Sequence, residues 1–307
     1  MTQHLLRLGT RGSPLALRQA EEVQARLAAA HGIDPSAVAI EVIRTTGDRI
    51  QDRTLAEAGG KGLFTKEIEE ALIAGTIDFA VHSSKDVPTF LPDGLQLSTY
   101  LPREDVRDAF VSPRAASLAT LPPGAVVGTA SLRRQAQVLR ARPDLRVVPL
   151  RGNVQTRLRK LEDGAVDATL LALAGLNRLK RADVVTALLP LDQFLPAIGQ
   201  GAIAIETRAN DSRTIDLLSR INDPDTEAAL TCERAFLTVL DGSCRTPIAG
   251  LATIDGNRIE FTGEVLREDG SEHLAEKLSG NRQDAEAIGR EAGARIKQRL
   301  PANFFKT

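Results

Sequence analysis

The sequence predicts an α/β protein: two hinged, doubly wound lobes followed by a small C-terminal α+β domain. Three observations carry this expectation. Strand-like and helix-like segments alternate as β-α-β-α-β from Leu5, and alternate again from Val126. Leu101-Pro102-Arg103-Glu104-Asp105 looks like a hinge between the two alternations, and a later apolar run, Ala202 to Thr207, can return to the first lobe. From Pro224 the pattern changes to a long helix, alternating segments joined by two Asp-Gly turns, and a final helix. The expected boundaries are residues 1–101 plus 200–219 for the first lobe, 105–195 for the second and 222–307 for the C-terminal domain.

In the first lobe, Leu5 to Gly9 reads as a brief strand. Ser13 then fits an N-cap and Pro14 the first helical position. Ala16, Ala20, Val23 and Leu27 recur at helical spacing until Gly32, which marks the helix end. Val38 to Arg44 is the second strand. Gly47 to Gly62 is polar, contains Gly59-Gly60-Lys61-Gly62 and is expected to be a mobile loop. Those glycines are not a P-loop, because the spacing and the following Ser or Thr are wrong. A helix with Leu63, Ile68, Ala71 and Leu72 leads into Ile77 to Val81, an apolar, buried strand. This order predicts a largely parallel sheet.

The second alternation begins with a strand at Val126 to Thr129, then Ser131 as the cap of a helix with Leu132, Ala136 and Leu139 inward. Leu145 to Leu150 and Asp167 to Leu173 are further strands, separated by a helix with Val154, Leu158 and Leu161. In the last third, Ala228, Cys232, Ala235 and Val239 form one helical stripe. Asp255-Gly256 and Asp269-Gly270 signal hairpins, and Ala285, Ile288, Ala292 and Ile296 form the last helix. A three-stranded antiparallel sheet with helices on one face is expected there.

Composition narrows the function. The chain has 307 residues, 42% hydrophobic and 26% charged, with a net charge of −1, which argues against general nucleic-acid binding. No tryptophan and one tyrosine leave little for base stacking. No apolar run reaches a membrane-spanning length, and Met1 to Arg7 lacks a secretory core, so a cytoplasmic protein with no membrane partner is expected. His4, His31, His82 and His273 show no metal-ligand spacing, so no metal is expected.

The candidate chemistry is charged. The strand ending near Val81 delivers Lys85 and Asp86 to the carboxyl end of a sheet, where α/β proteins bind ligands. Alone, the pair can equally be a solvated turn. Arg11 lies in a strand-to-helix loop beside exposed backbone N–H groups, a natural anion site. Between Thr129 and Lys160 lie Arg133, Arg134, Arg140, Arg142, Arg146, Arg151, Arg157 and Arg159, with Asp144 the only acid. Arg133 and Arg134 fall in a helix's first turn, where the macrodipole disfavours cations, and Arg151 and Arg157 flank the next helix start in the same way. A bound polyanionic small ligand accounts for this, and a structural salt-bridge network remains the alternative. Cys232 sits on an apolar stripe and reads as inert core. Cys244, in Gly242-Ser243-Cys244-Arg245-Thr246-Pro247, is open between an ordinary loop cysteine and a nucleophile or attachment point. His82 reads as a partly buried hydrogen-bonding residue rather than a catalytic base.

These segments together resemble the porphobilinogen deaminases, also called hydroxymethylbilane synthases. The resemblance rests on Thr10-Arg11-Gly12-Ser13-Pro14-Leu15-Ala16-Leu17, Gly59-Gly60-Lys61-Gly62-Leu63-Phe64 and Val81-His82-Ser83-Ser84-Lys85-Asp86-Val87-Pro88. It also rests on Arg107-Asp108-Ala109-Phe110, Ser131-Leu132-Arg133-Arg134-Gln135, Leu150-Arg151-Gly152-Asn153 and Gly199-Gln200-Gly201. It implies a transferase of tetrapyrrole (haem) biosynthesis that joins four porphobilinogen units head to tail, releasing ammonia each time, to give linear hydroxymethylbilane. Each pyrrole carries an acetate and a propionate, which gives the arginines a purpose.

Growth would start on a dipyrromethane cofactor held by a thioether, and Cys244 matches its attachment site. Asp86 matches the family's catalytic aspartate, which would stabilise the azafulvene cation left by ammonia. Lys85, Ser131, Arg133, Arg134 and Arg151 would hold the cofactor, and Arg11, Ser13, Arg157, Arg178 and Gln200 the substrate. Ser84 stands where the family often has Leu or Met, and Glu57 where lysine is common. The substrate is then the small-molecule partner, and a monomer is expected. The competing reading is a hinged anion-binding protein without catalysis, since the two lobes also resemble type II periplasmic binding proteins. Such a module needs neither Cys244 nor Asp86.

Overall fold

The computed structural model describes residues 5–46, 65–240, 242, 246–301 and 304–305. In chain order the first elements are β1 (Leu6–Arg11), α1 (Pro14–His31), β2 (Val38–Ile43), α2 (Lys66–Ile73), β3 (Phe79–Ser83) and β4 (Leu95–Tyr100). The second series is β5 (Asp108–Val111), β6 (Val126–Gly128), α3 (Leu132–Ala141), β7 (Arg146–Val148), α4 (Val154–Glu162), β8 (Ala168–Ala172), α5 (Leu173–Arg178) and β9 (Ala187–Leu188). Then come β10 (Ile203–Arg208), α6 (Ser212–Ser219), α7 (Pro224–Val239), β11 (Ile248–Asp255), β12 (Arg258–Leu266), β13 (His273–Asn281) and α8 (Ala285–Arg299).

Two compact units emerge. One takes described residues within 5–46, 65–104 and 201–227, and the other takes 105–200 and those after 227. The first holds a sheet of order β2-β1-β3-β10-β4, and the second holds one of order β7-β6-β8-β5-β9. The sheets share one pattern. β1 runs parallel to β2 and β3, while β10 is antiparallel to β3 and β4. β6 likewise runs parallel to β7 and β8, while β5 is antiparallel to β8 and β9.

The expectation of a largely parallel sheet is therefore corrected: half of the ladders in each sheet are antiparallel. The fourth strand of each sheet enters from the other alternation of the chain. Its direction is not set by a βαβ crossover, which alone demands parallel neighbours. The return of the 202–207 run to the first sheet, as β10, is as expected. Sequence reading missed β4, β5 and β9, and it started β3 two residues early.

Local chemistry explains the elements around the site. Ser13 Oγ accepts from the Ala16 N–H at 3.2 Å to cap α1, and Gly32 closes it with φ +62°, a conformation costly to residues with a side chain. The inward face of α1 (Ala20, Val23, Leu27) packs on Leu6, Leu8, Phe79, Val81, Ile203 and Ile205. In the second unit, Phe110 and Leu170 point into one core while Ala109, Val111 and Leu171 point into another. That alternation is the period of a strand buried on both faces.

The C-terminal segment forms the antiparallel sheet β11-β12-β13. Its turns use Gly256 and Gly270, with φ +56° and +74°. α7 and α8 cover one face, with Phe236 and Phe261 edge to face at 5.0 Å. Gly289 lets the helices approach, since a Cβ there would lie 2.0 Å from the Cys232 carbonyl oxygen. Cys232 is fully buried, and burial, reinforced by the adjacent Glu233, pushes its thiol up to about 12. It is inert core, as its helical stripe suggests.

Candidate active site

β3 runs through the centre of the first sheet and ends in a single 3₁₀ turn, Ser84–Asp86, closed by the Val87 N–H donating to the Ser84 carbonyl at 3.2 Å. Pro88 prevents the strand from resuming. The turn is tied down on both sides: the Ser84 N–H donates to the Ala202 carbonyl at 3.0 Å, and the Gln19 amide bonds the Ser83 hydroxyl at 2.9 Å. Asp86 is exposed and Lys85 half-buried. Asp86 shares a pocket with Arg11, Ser13, Gln19, His82 and Ser83. The first lobe thus sets a carboxylate, a guanidinium and the N-terminus of α1 around one small space. His82 is buried and bonded to Glu206, in accord with the hydrogen-bonding role expected of it.

In the second unit Ser131 caps α3, its Oγ accepting from the Arg134 N–H at 3.4 Å. Arg133 and Arg134 are then turned inward, at 4% and 5% exposure, onto the fully buried Asp108. Arg133 Nη2 lies 2.9 Å from Asp108 Oδ2, and Arg134 Nη2 2.7 Å from Oδ1. Gln200, also buried, donates to the same Oδ1 at 2.9 Å and to the Val106 carbonyl at 2.8 Å. Arg133 further donates to Gln137, whose amide donates to Glu264 on β12 at 2.8 Å.

Sequence reading counted Asp144 as the only acid near these arginines. The counter-ion is instead Asp108, some 25 positions upstream and brought beside α3 as the first residue of β5. Asp144 pairs with Arg142, which also bonds the carbonyls of Leu118, Ala119 and Leu121, and Arg140 reaches Glu264.

Burial alone would raise the Asp108 carboxyl. Arg133 and Arg134, with hydrogen bonds from Arg134 and Gln200, more than offset it and hold the group well below the usual carboxylate range. The stability this contributes is present above about pH 4 and is lost as pH falls through the depressed value. Asp108→Asn leaves two buried guanidinium groups facing an amide and is expected to cost about 3–5 kcal/mol in urea unfolding. A loss below about 1 kcal/mol would show that the cluster is not what holds this end of α3.

Arg151 precedes Gly152 and Asn153, the cap of α4. Gly152 has φ +116°, and a Cβ there would lie 2.6 Å from the Thr156 side chain, so the Arg-Gly-Asn turn tolerates no larger residue. Arg151 is half-buried, and its Nη1 is shielded from solvent with no hydrogen-bond partner among the described residues. Arg157 donates from Nε to the Gly152 carbonyl at 2.8 Å, and Arg178 ends α5. The expected site residues therefore fall into two groups: Arg11, Ser13, Lys85 and Asp86 in the first unit, and Ser131, Arg133, Arg134, Arg151, Arg157, Arg178 and Gln200 in the second. Cys244, Glu57 and the Gly59–Gly62 run lie outside the described residues. No cluster of metal-ligating side chains occurs among the described residues.

Comparison with known proteins agrees along the whole chain. Residues 6–216 match the family described as porphobilinogen deaminase, dipyromethane cofactor binding domain. Residues 227–298, which include Cys244, match the porphobilinogen deaminase C-terminal domain. A porphobilinogen deaminase of Nitrobacter winogradskyi is 61% identical over 304 residues, covering 99% of this chain and 96% of that protein. One from Paracoccus denitrificans is 56% identical over 303 residues, covering 99% and 97%. A periplasmic substrate-binding protein of an ABC transporter from Coxiella burnetii shares 17% identity at a TM-score of 0.45, over 73% of this chain and 94% of that one, too distant a likeness to bear on ligand or mechanism. With both domain profiles in order and relatives above 50% identity end to end, the chain belongs to the porphobilinogen deaminase family.

Proposed function

We propose that this chain joins four porphobilinogen molecules head to tail, releasing one ammonia at each addition, and liberates the linear hydroxymethylbilane. The observation that carries the reading is the Asp86 pocket, where one carboxylate faces a space shared with Arg11 and the start of α1. Loss of ammonia from a pyrrole's aminomethyl group leaves the methylene on the ring as a cationic azafulvene, and Asp86 supplies the fixed negative charge that favours it. Arg11 and Ser13, which line the same pocket beside the N-terminus of α1, would receive the substrate's carboxylates. Lys85 follows on the same turn.

The cofactor implied by the family carries several carboxylates, and the second unit's donors suit it. Arg151 has a shielded Nη1 without an acceptor, and Arg133 a buried Nε in the same state among the described residues. A buried guanidinium N–H without an acceptor costs free energy that a carboxylate would recover. Ser131, Arg133, Arg134 and Arg151 would therefore hold dipyrromethane, and Arg157, Arg178 and Gln200 the growing substrate end. Asp108 has a supporting part, keeping Arg133 and Arg134 in place when no ligand neutralises them. When bound through Cys244, the group supplies the ring position from which the chain grows.

The protein acts as a cytoplasmic monomer on a free small molecule. Among the described residues no helix is long and apolar enough to cross a membrane. The decisive assay incubates purified enzyme with porphobilinogen and measures ammonia and hydroxymethylbilane together. About four ammonias per product are expected, each addition displacing one amine. Binding of porphobilinogen without ammonia release would overturn the reading in favour of a binding protein.

A further inference from the structure

Behind the Asp86 turn lies a buried cluster of ionisable side chains that the proposed chemistry does not use. His82, on β3, is 5% exposed, and its Nε2 sits 3.0 Å from Oε2 of Glu206, on the neighbouring strand β10 and 0% exposed. The other carboxylate oxygen, Glu206 Oε1, is buried with no hydrogen-bond partner among the described residues. Glu69, on the buried face of α2, adds a second carboxylate with a buried, unpartnered Oε1. No lysine or arginine pairs with Glu206 among the described residues, so the imidazole is its only hydrogen-bond partner there. Burying an acid this completely is costly, and a purely structural role would be served as well by an apolar pair. His82 is also among the residues lining the pocket that holds Asp86 and Arg11, and no hydrogen bond engages its Nδ1 among the described residues.

We propose that Glu206 pins His82 as the Nε2–H tautomer, so that the unprotonated Nδ1 serves the Asp86 pocket as a hydrogen-bond acceptor for the substrate's N–H groups. Glu206 is then a positioning residue acting through His82. The inference rests on porphobilinogen being the substrate, whose pyrrole N–H and aminomethyl ammonium are donors. An ionised carboxylate can only accept, so it demands a proton on Nε2, and in the neutral imidazole that tautomer makes Nδ1 the acceptor. An amide at the same place offers a donor as readily as an acceptor and removes that demand.

The ionisable groups around His82 are Glu206 from β10 and Glu69 from α2, which interact with it, and Arg11 from β1 and Asp86 from its own turn, which line the same pocket. The Glu69 carboxyl is raised, by its own burial first and then by the charge of Glu206 beside it.

The test uses the holoenzyme with ¹⁵N-labelled histidine, which has four histidines to assign. His82 is identified by the signal lost in His82→Asn. In wild type, Nδ1 is expected at the unprotonated, acceptor position and Nε2 at the protonated one. Glu206→Gln is expected to disturb that pattern and to lower kcat/KM for porphobilinogen by about tenfold to a hundredfold, the scale for losing the partner that orients a functional histidine. Glu206→Asp, which keeps the carboxylate, should recover part of it.

A wild-type spectrum with the proton on Nδ1 overturns the proposal, as does a folded Glu206→Gln with wild-type kcat/KM. If Glu206→Gln does not fold, the wild-type tautomer still decides. Ammonia release by wild type tests the substrate reading separately, so a failure of one is not mistaken for a failure of the other.

Discussion

Asp86→Asn is expected to lower ammonia release from porphobilinogen by about two to four orders of magnitude, the scale for removing an electrostatic or acid–base group from a reaction. The substitution keeps the shape of the side chain and some of its hydrogen bonding while deleting the charge. Asp86→Glu keeps the charge and shifts it by roughly one methylene, so it should retain more activity than Asn and less than wild type. Neither change should affect folding, because Asp86 is exposed on its turn and the turn is held by other groups: the Ser84 N–H on Ala202, the Ser83 hydroxyl on Gln19 and Pro88 after it. Single-turnover ammonia release with thermal melts of both variants gives the answer. Activity of the Asn variant equal to or above that of Glu, both folded, would show that the charge is not what matters.

The second large effect is expected at Cys244. Freshly purified enzyme should be heavier than its sequence by roughly two porphobilinogen units less two ammonias, and the added mass should map to the Cys244 peptide. Cys244→Ser should lose both the adduct and turnover, since a hydroxyl is a far weaker nucleophile than a thiol toward the electrophilic pyrrole methylene. Cys232→Ser should keep the adduct, because Cys232 is buried in the core between α7 and α8 and its thiol is pushed up to about 12. Active enzyme with an unmodified Cys244 would remove the attachment site from the account.

What the sequence determined by itself is local or repeated. The two β-α-β alternations, the Ser13 and Ser131 caps, the Gly32 stop and the two Asp-Gly hairpins each rest on a few adjacent residues, and each appears where the pattern places it. So does the delivery of Lys85 and Asp86 to the end of a central strand, because an apolar run followed by polar residues and a proline has few other solutions. Family membership was legible for the same reason: its motifs are short and contiguous.

What only the tertiary structure decided is pairing between distant residues. Arg133 and Arg134 read in sequence as cations without a counter-ion, yet Asp108 lies between them because β5 enters the sheet antiparallel beside β8 and ends its register against Ala172. The same antiparallel entry, unreadable from helix and strand periods alone, brings Glu206 on β10 to His82 on β3 across 124 residues. Periodicity reports which face of an element is buried. It carries no information about which strand will lie alongside, and the charges at these two sites were settled by that neighbour.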